Sequence, residues 1–465
     1  MILKPSRRIR QKEKRIVTRM RRIALAWILL ASGISIWWGY SIGQSANGLV
    51  DFKTVYYGTR CLLQGHNPYK VSTLNGVYKP AGGECPLETT EARQAVTKYV
   101  HVPTAFIFVT PFAILPWGPA HLLWLALSAG VLTLAAFLMW DIGARYAPKV
   151  SLFLICILLA NCEMIFGGGN TAGVVIGLCV VAAWCFLEKR LELVGVLCLT
   201  LSLTIKPHDA GLVWLYFLLA GGVSRKRALQ TLLITAVLGL AAFLWHSHLS
   251  HGWMQDWSYN LSATSAPGGS SDPGPTSFAG HKASMVIDLQ GPISVFRNDS
   301  RIYNPVSYLV CGALLLVWSI RTLKLRSSQT GAWFALAAVV PLTMLVTYHH
   351  TWDAKLLMLA VPACAFLWVE SGRTGWVALL LTSAGIVFTA DIPLSIFLIL
   401  VNNLHKSTAA ISGKMLTGVL MQPVQPILLA MGIFYLWIYV RRDPANVATS
   451  APAEPDEAPL ASTLP

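Results

Sequence analysis

Asp51, Tyr56, Tyr57, Arg60 and Asn67-Pro68-Tyr69 fall within a short polar stretch just after the first long apolar run of the chain. A carboxylate at the mouth of so apolar a protein is costly unless it is used, which makes Asp51 the first candidate for chemistry. Three further constellations share its character: Gly167-Gly168-Gly169-Asn170, Lys206-Pro207-His208-Asp209, and His349-His350-Thr351-Trp352-Asp353. A carboxylate can act as general base on an acceptor hydroxyl, while lysine and histidine can neutralise charge on a departing phosphate. Group transfer from a lipid phosphate needs that combination.

Each residue also has an ordinary reading. Asp51 could be an interfacial N-cap, Asn170 the cap of the next helix, and Asp353 a partner of a helix dipole. Lys206 could snorkel from a helix end, although Pro207 beside it fixes the break at that point. His349 and His350 are adjacent, so on a helix they would point about 100° apart and would not share one role. Arg60 lies roughly 13 Å along a helical stretch from Asp51 and could reach a lipid or donor phosphate. Tyr56, Tyr57 and Tyr69, with Trp117, Trp253 and Trp257, could stack on sugars but read better as an interfacial aromatic belt. Glu163, near a helix end, is expensive unless protonated or paired and stands as a secondary candidate.

The elements that must position these residues are membrane helices. Hydrophobic residues make up 55% of the 465 and charged residues 12%, most of the latter lying between long apolar runs. A backbone in hydrocarbon must satisfy its own hydrogen bonds, and the runs lack the alternation of a barrel, so the fold class is an all-α polytopic membrane protein. The net charge of +15 includes a block of Lys and Arg between Lys4 and Arg22. By the positive-inside rule that block places residues 1–22 in the cytoplasm as a basic tail, read as serving topology and anionic lipid rather than nucleic acid. The first apolar run, 23–42, reads as an uncleaved signal anchor.

Charge parity then fixes a topology. If residues 101–116 cross fully, the clusters at Arg145/Lys149, Lys189/Arg190 and Arg225/Lys226/Arg227 all fall outside. If the segment only dips in, as Pro103, Pro111, Pro116 and its short length suggest, every cluster is inside. About twelve spanning helices follow, with both termini cytoplasmic, a transmembrane domain over 23–442, and long outer segments at 44–118 and 246–304. The second of these, around residues 266–275, has the composition of a mobile lid or of an ordinary loop. Residues 443–465 read as a disordered tail, and 392–423 could add a surface helix. Cys61 and Cys85 share the first outer segment and could pair in an oxidising exterior. No cysteine or histidine spacing resembles a zinc site, and there is no glycine-rich phosphate loop to hold a nucleotide, so no metal ligand is assigned and no cofactor is expected.

The stretch from Asp51 to Tyr69 resembles the opening motif of the polyprenol-phosphate-mannose-dependent α-mannosyltransferases, glycosyltransferase family 87. Phe166-Gly167-Gly168-Gly169-Asn170 is similar to that family's Gly-Gln-x-Asn turn, with glycine where glutamine is frequent. Lys206-Pro207-His208 is similar to its Lys-Pro step, and His349-His350-Thr351-Trp352-Asp353 to its His-rich turn. The resemblance implies a C-type glycosyltransferase (GT-C) fold with juxtamembrane helices in the first outer loop. It also implies an inverting displacement in which a sugar leaves polyprenyl phosphate, with Asp51 as base. On that reading Lys206, His349, His350 and Arg60 face the donor phosphate, and Asn170, His208, Asp353, Tyr56 and Tyr57 face substrate. The expected partners are a polyprenyl-phosphate-linked sugar, a lipid or glycan acceptor and membrane lipid, at the outer face of a bacterial cytoplasmic membrane. A glycan ligase or polymerase using a diphosphate donor, and a lipid or sugar transporter or flippase, are the rival readings.

Overall fold

The structure, a computed structural model, describes residues 7–45, 48–78, 99–267, 269, 271–274, 286–324, 328–407, 420 and 422–442. Helix α1 runs continuously over Arg7–Gly43, so residues 7–22 of the basic block begin the same helix that supplies the first apolar span. The first outer segment folds into α2 (Val50–Leu63), α3 (Val71–Tyr78) and α4 (Ala105–Ala113). At 9 residues α4 is far short of the roughly 20 needed to span, and Pro111 lies inside it, in keeping with a segment that does not cross.

The bundle continues through α5 (Trp117–Gly143), α6 (Pro148–Leu159), α7 (Glu163–Gly168), α8 (Ala172–Leu187), α9 (Glu192–Ile205), α10 (Pro207–Ala220) and α11 (Gly222–Leu249). The second outer segment holds α12 (Trp253–Ser265), β1 (Val286–Ile287) and α13 (Gln290–Phe296) before α14 (Ser300–Lys324) and α15 (Gln329–Val346). β2 (His349–His350), a 3-10 helix (Asp353–Ala360), α16 (Val361–Val369), α17 (Arg373–Phe388), α18 (Asp391–Ser407) and α19 (Val424–Arg441) complete the chain. The histidine pair therefore lies in a strand and not on a helix. β1 and β2 pair antiparallel, with Ile287 opposite His349 and Val286 opposite His350.

Seven helices among the described residues are long and apolar enough to cross a membrane, or eight if α17 and α18, bent by 82° at their junction, form one span. Twelve is not reached by length alone. The remaining expected spans are α8, α9, α10 and the 3-10 helix with α16, and the first three have 16, 14 and 14 residues. These are the elements that a proline or a 3-10 turn interrupts next to the polar motifs. Large apolar side chains are exposed along the outer helices, among them Leu233, Leu240, Leu309 and Leu316, whereas α15 is buried through nearly its whole length. That is the pattern of a bundle whose periphery meets lipid, and the protein is an all-α, multi-pass membrane protein.

A second, aromatic core covers one end of the bundle. Phe52, Tyr56, Tyr57, Tyr69, Tyr99, Phe106, Trp124 and Trp253 pack there. Phe52 stacks on Trp124 with ring centroids 4.8 Å apart, and Tyr69 stacks on Trp253 at 5.9 Å. The aromatics expected to form an interfacial belt are instead largely buried, because α2 is covered on most of its surface by α3, α4 and the start of α5. Asn67 Nδ2 donates to Asp256 at 2.7 Å, and Asn260 Nδ2 donates to the carbonyls of Tyr69 and Tyr99. The Asn67-Pro68-Tyr69 motif thus docks the two outer segments onto each other. Cys85, the tails 1–6 and 443–465, and residues 268, 270 and 275 of the expected lid lie outside the described residues, so a Cys61–Cys85 disulfide is not among the contacts described.

Candidate active site

Asp51 reaches its place through the turn that precedes α8. Leu49, in the left-handed region at φ 56°, donates its N–H to the Gly167 carbonyl at 2.7 Å and turns the chain into α2. Asp51 then stands in the first turn of α2, where the helix dipole favours a carboxylate. It is not the cap residue. Its Oδ2 accepts from Asn170 Nδ2 at 2.7 Å, while Asn170 Oδ1 accepts from the Ala172 N–H at 2.8 Å and caps α8. Both ends of the Asn170 amide are engaged within the protein, so this residue orients Asp51.

The glycines of that turn are required by fit. A Cβ on Gly169, whose φ is +63°, would lie 2.6 Å from Phe52 Cβ, and one on Gly168 would lie 3.3 Å from Asp51 Oδ2. The departure from the glutamine of the resembled motif is therefore tied to how closely α2 lies over the turn.

Lys206 is placed by the residue that follows it. A residue before proline is pushed out of the helical region, and Lys206 has φ −147° and ψ 78°. α9 ends there, Pro207 opens α10 at a position where its missing N–H costs nothing, and the ammonium turns inward. Its Nζ pairs with Asp353 Oδ1 and lies 3.2 Å from Asp209 Oδ2. The other Asp353 oxygen accepts from the His350 N–H at 2.8 Å, so this carboxylate ties Lys206 to the strand.

His349 is almost fully buried, with Nε2 3.3 Å from Asp209 Oδ1 and Nδ1 2.7 Å from the Thr347 carbonyl. A carbonyl can only accept, so Nδ1 carries a proton. Nε2 faces the Asp209 carboxylate, which favours a proton on that nitrogen as well. Burial by itself would depress its pKa, but the bond to Asp209 and the nearby carboxylates prevail and hold it above the ordinary 6.5. His208 is on the same side, with Nε2 3.6 Å from Asp209 and its ring 5.0 Å from that of His349. His350 turns the other way, as neighbours in a strand do, to bond Tyr348 Oη and stack on Trp352.

Asp51 belongs to the same electrostatic neighbourhood. Burial raises its pKa above the ordinary 3.8, the Asn170 bond and the Lys206 charge pull it back, and Asp353 raises it further. Asp209, whose carboxylate both Lys206 and His349 approach, was named in its constellation but given no role of its own, and Tyr348 was not singled out. Asp209 three residues after Lys206 was the available signal. His101 lies near as well: burial, then the charges of Lys206 and His208, lower its pKa to about 4.

Other expected residues are elsewhere engaged. Arg60 donates to Tyr56 Oη at 2.9 Å, Tyr56 donates to the Leu115 carbonyl at 2.7 Å, and Tyr57 lies between Tyr78 and Trp117. These three build the aromatic core. Glu163 is buried, and its charged neighbours are Asp391 and Lys355. His208, Asp209 and His349 place ligand-type atoms within 4.8 Å of one another and could hold a cation. The Lys206 ammonium already supplies positive charge to Asp209.

A buried carboxylate set against a buried lysine and a buried histidine is an arrangement that can deprotonate a hydroxyl and stabilise an anionic leaving group. No curated protein and no solved structure matches the chain. The model of glycosyltransferase family 87 matches residues 99–347, a segment that holds Asn170, Lys206, His208 and Asp209 and stops just before His349. That match takes in more than half of the 465 residues, and the protein belongs to glycosyltransferase family 87.

Proposed function

We propose that the protein is an inverting hexosyltransferase that moves a sugar, with mannose the first to test, from polyprenyl phosphate to an acceptor hydroxyl at the outer face of a bacterial cytoplasmic membrane. The observation that carries this reading is the convergence of Asp51 with the Lys206–Asp209–Asp353–His349 cluster, from five separate elements, onto one polar site. Asp51 takes the acceptor proton as the acceptor oxygen attacks the anomeric carbon from the face opposite the phosphate. The bond between that carbon and the phosphate oxygen breaks, its electron pair leaving with polyprenyl phosphate. In this scheme Lys206 and His349 stabilise that charge. Lys206 and a protonated His349 face the carboxylates of Asp209 and Asp353, and the incoming phosphate adds the charge that draws both groups toward it.

A raised Asp51 pKa suits a base that must hold a proton once it has taken it. His208 stands beside the cations and Asn170 orients the base. His350 and Asp353 position the strand and the lysine, and no resident cofactor takes part in this scheme. The GT-C architecture implied by the motifs agrees with short outer helices packed on a membrane bundle.

Transfer from radiolabelled polyprenyl-phosphate-mannose in membranes holding matched amounts of wild type or Asp51→Asn tests the reading. Transfer by the wild type, and between about one hundredth and one ten-thousandth of it by the variant, is expected, since general base catalysis contributes about 10²–10⁴-fold. Equal transfer by both would remove Asp51 from the mechanism.

A further inference from the structure

The glycine turn that orients Asp51 rests on α7, and α7 is anchored from a part of the chain outside the site described above. Its Gly167 carbonyl accepts from the N–H of Leu49, two residues before Asp51, and its Ile165 carbonyl accepts from the Asn170 N–H at 2.9 Å. The carboxylate and the amide that orients it therefore both take their positions from this one helix. α1 lies hard against it: a Cβ on Gly39 would sit 2.5 Å from Phe166 Cβ and 2.8 Å from the Glu163 carbonyl oxygen. With 6 residues α7 is less than two turns long, so most of its N–H groups lack a partner within the helix. Cys162 at its cap makes no side-chain bond. The bond comes from Asp391 instead, 227 positions away, whose Oδ2 accepts from the Met164 N–H at 3.1 Å.

Asp391 opens α18 directly after the 82° break from α17. A break in an apolar span frees backbone carbonyls that lipid cannot satisfy. The Thr389 carbonyl lies at this break, and Lys355 Nζ donates to it at 3.0 Å. Lys355 is 2% exposed and stands two residues after Asp353 in the 3-10 helix. At three residues per turn those two side chains leave the helix on different sides, Asp353 toward Lys206 and Lys355 toward the break. The Lys355 ammonium also faces the Asp391 carboxylate. A continuous path thus runs from the 3-10 helix that holds Lys206, through Lys355, the Thr389 carbonyl and Asp391, to the helix that sets Asp51 and Asn170. We propose that Asp391 and Lys355 are positioning residues that fix the separation between the proton-accepting carboxylate and the phosphate-facing lysine, a role that rests on Asp51 being the base. Glu163 lies beside the path without belonging to it, since both of its carboxylate oxygens are buried with no hydrogen-bond partner among the described residues.

The test is the pH profile of transfer from radiolabelled polyprenyl-phosphate-mannose, with the thermal midpoint of each variant recorded beside it. In Asp391→Ala, α7 loses its distant anchor, and kcat should fall by up to about a hundredfold, the loss that a displacement of about 1 Å produces, with the donor KM nearly unchanged. The acid limb of kcat/KM should move to higher pH, as in Asn170→Ala, and by no more than the roughly 1–2 pH units that losing the Asn170 bond allows. Added to Asn170→Ala, the same change should move the limb no further, because the bond through which it acts is already gone. Asp391→Asn keeps an oxygen that can accept from Met164, so its limb should stay in place while its midpoint falls for want of the charge facing Lys355. Glu163→Gln removes a carboxylate from the same cluster and breaks no bond, and it should leave the limb unmoved. Lys355→Met loosens the path from its other end and should shift the limb the same way, which carries the test if Asp391→Ala does not accumulate. The proposal is overturned if these variants lower the midpoint and leave kcat and the limb at wild-type values, if the shifts of Asp391→Ala and Asn170→Ala add, or if Glu163→Gln moves the limb as far. Asp51→Asn in the same assay separates the two readings. Transfer at the wild-type level would overturn both, whereas lost transfer together with an unmoved Asp391→Ala limb overturns the positioning role alone.

Discussion

Asp51 and Asn170 show how a single side chain sets the working range of another. The Asn170 amide holds the Asp51 pKa down against burial, and the net position is still above 3.8. Because the proposed base must be ionised to act, activity should rise with pH across a window displaced above the ordinary carboxylate range. In Asn170→Ala one restraining contribution is gone, so the acid limb should move to higher pH. A hydrogen bond to an ionised group is worth about 1.5–3 kcal/mol, which corresponds to about 1–2 pH units. The pH profile of kcat/KM measures this, and an unmoved limb would mean that Asn170 acts only as the cap of α8. Lys206 carries a different liability. In Lys206→Met two buried carboxylates lose their cation, and breaking a buried pair from one side costs about 3–5 kcal/mol. The thermal midpoint of that variant should fall markedly, and that of Lys206→Arg much less.

At the scale of elements, the site is made by interruptions. Lys206 faces inward because Pro207 ends α9, and Asp51 faces the cluster because the glycine turn lets α2 lie against it. Gly169→Ala should therefore act at a distance. It forces a side chain into the left-handed region, at about 1–2 kcal/mol, and against Phe52 as well. The expected outcome is a lower thermal midpoint together with reduced transfer, because relief of the clash moves α2 and Asp51 with it. Wild-type turnover in the variant would show that the turn tolerates displacement. The K-P step and the amphipathic stretch after Asp51 were legible in the chain. The strand pair was not: two residues of β1 meet two of β2 more than sixty positions away, and no local periodicity marks so short a pairing.

Across the whole molecule, two cores divide the work: an aliphatic bundle in the membrane and an aromatic layer that clamps the outer segments over it. Asn260 is the hinge pin of the clamp. Asn260→Ala would leave the carbonyls of Tyr69 and Tyr99 without that donor, at about 1–3 kcal/mol for each group that finds no other partner. Limited proteolysis should then cut the outer segments faster while the bundle stays intact, and equal cleavage rates would deny the layer its clamping role. The sequence by itself determined the class of protein, the short first outer helices and the residue types of the site, because hydropathy, proline and charge act locally and leave local marks. Only the tertiary structure decided that Asp209 is the carboxylate shared by Lys206 and His349, that Arg60, Tyr56 and Tyr57 serve the aromatic core, and that His349 and His350 face opposite ways. Those outcomes depend on which distant segments pack together, and a pairing between segments is set by the energy of the assembled whole and not by the neighbours of a residue in the chain.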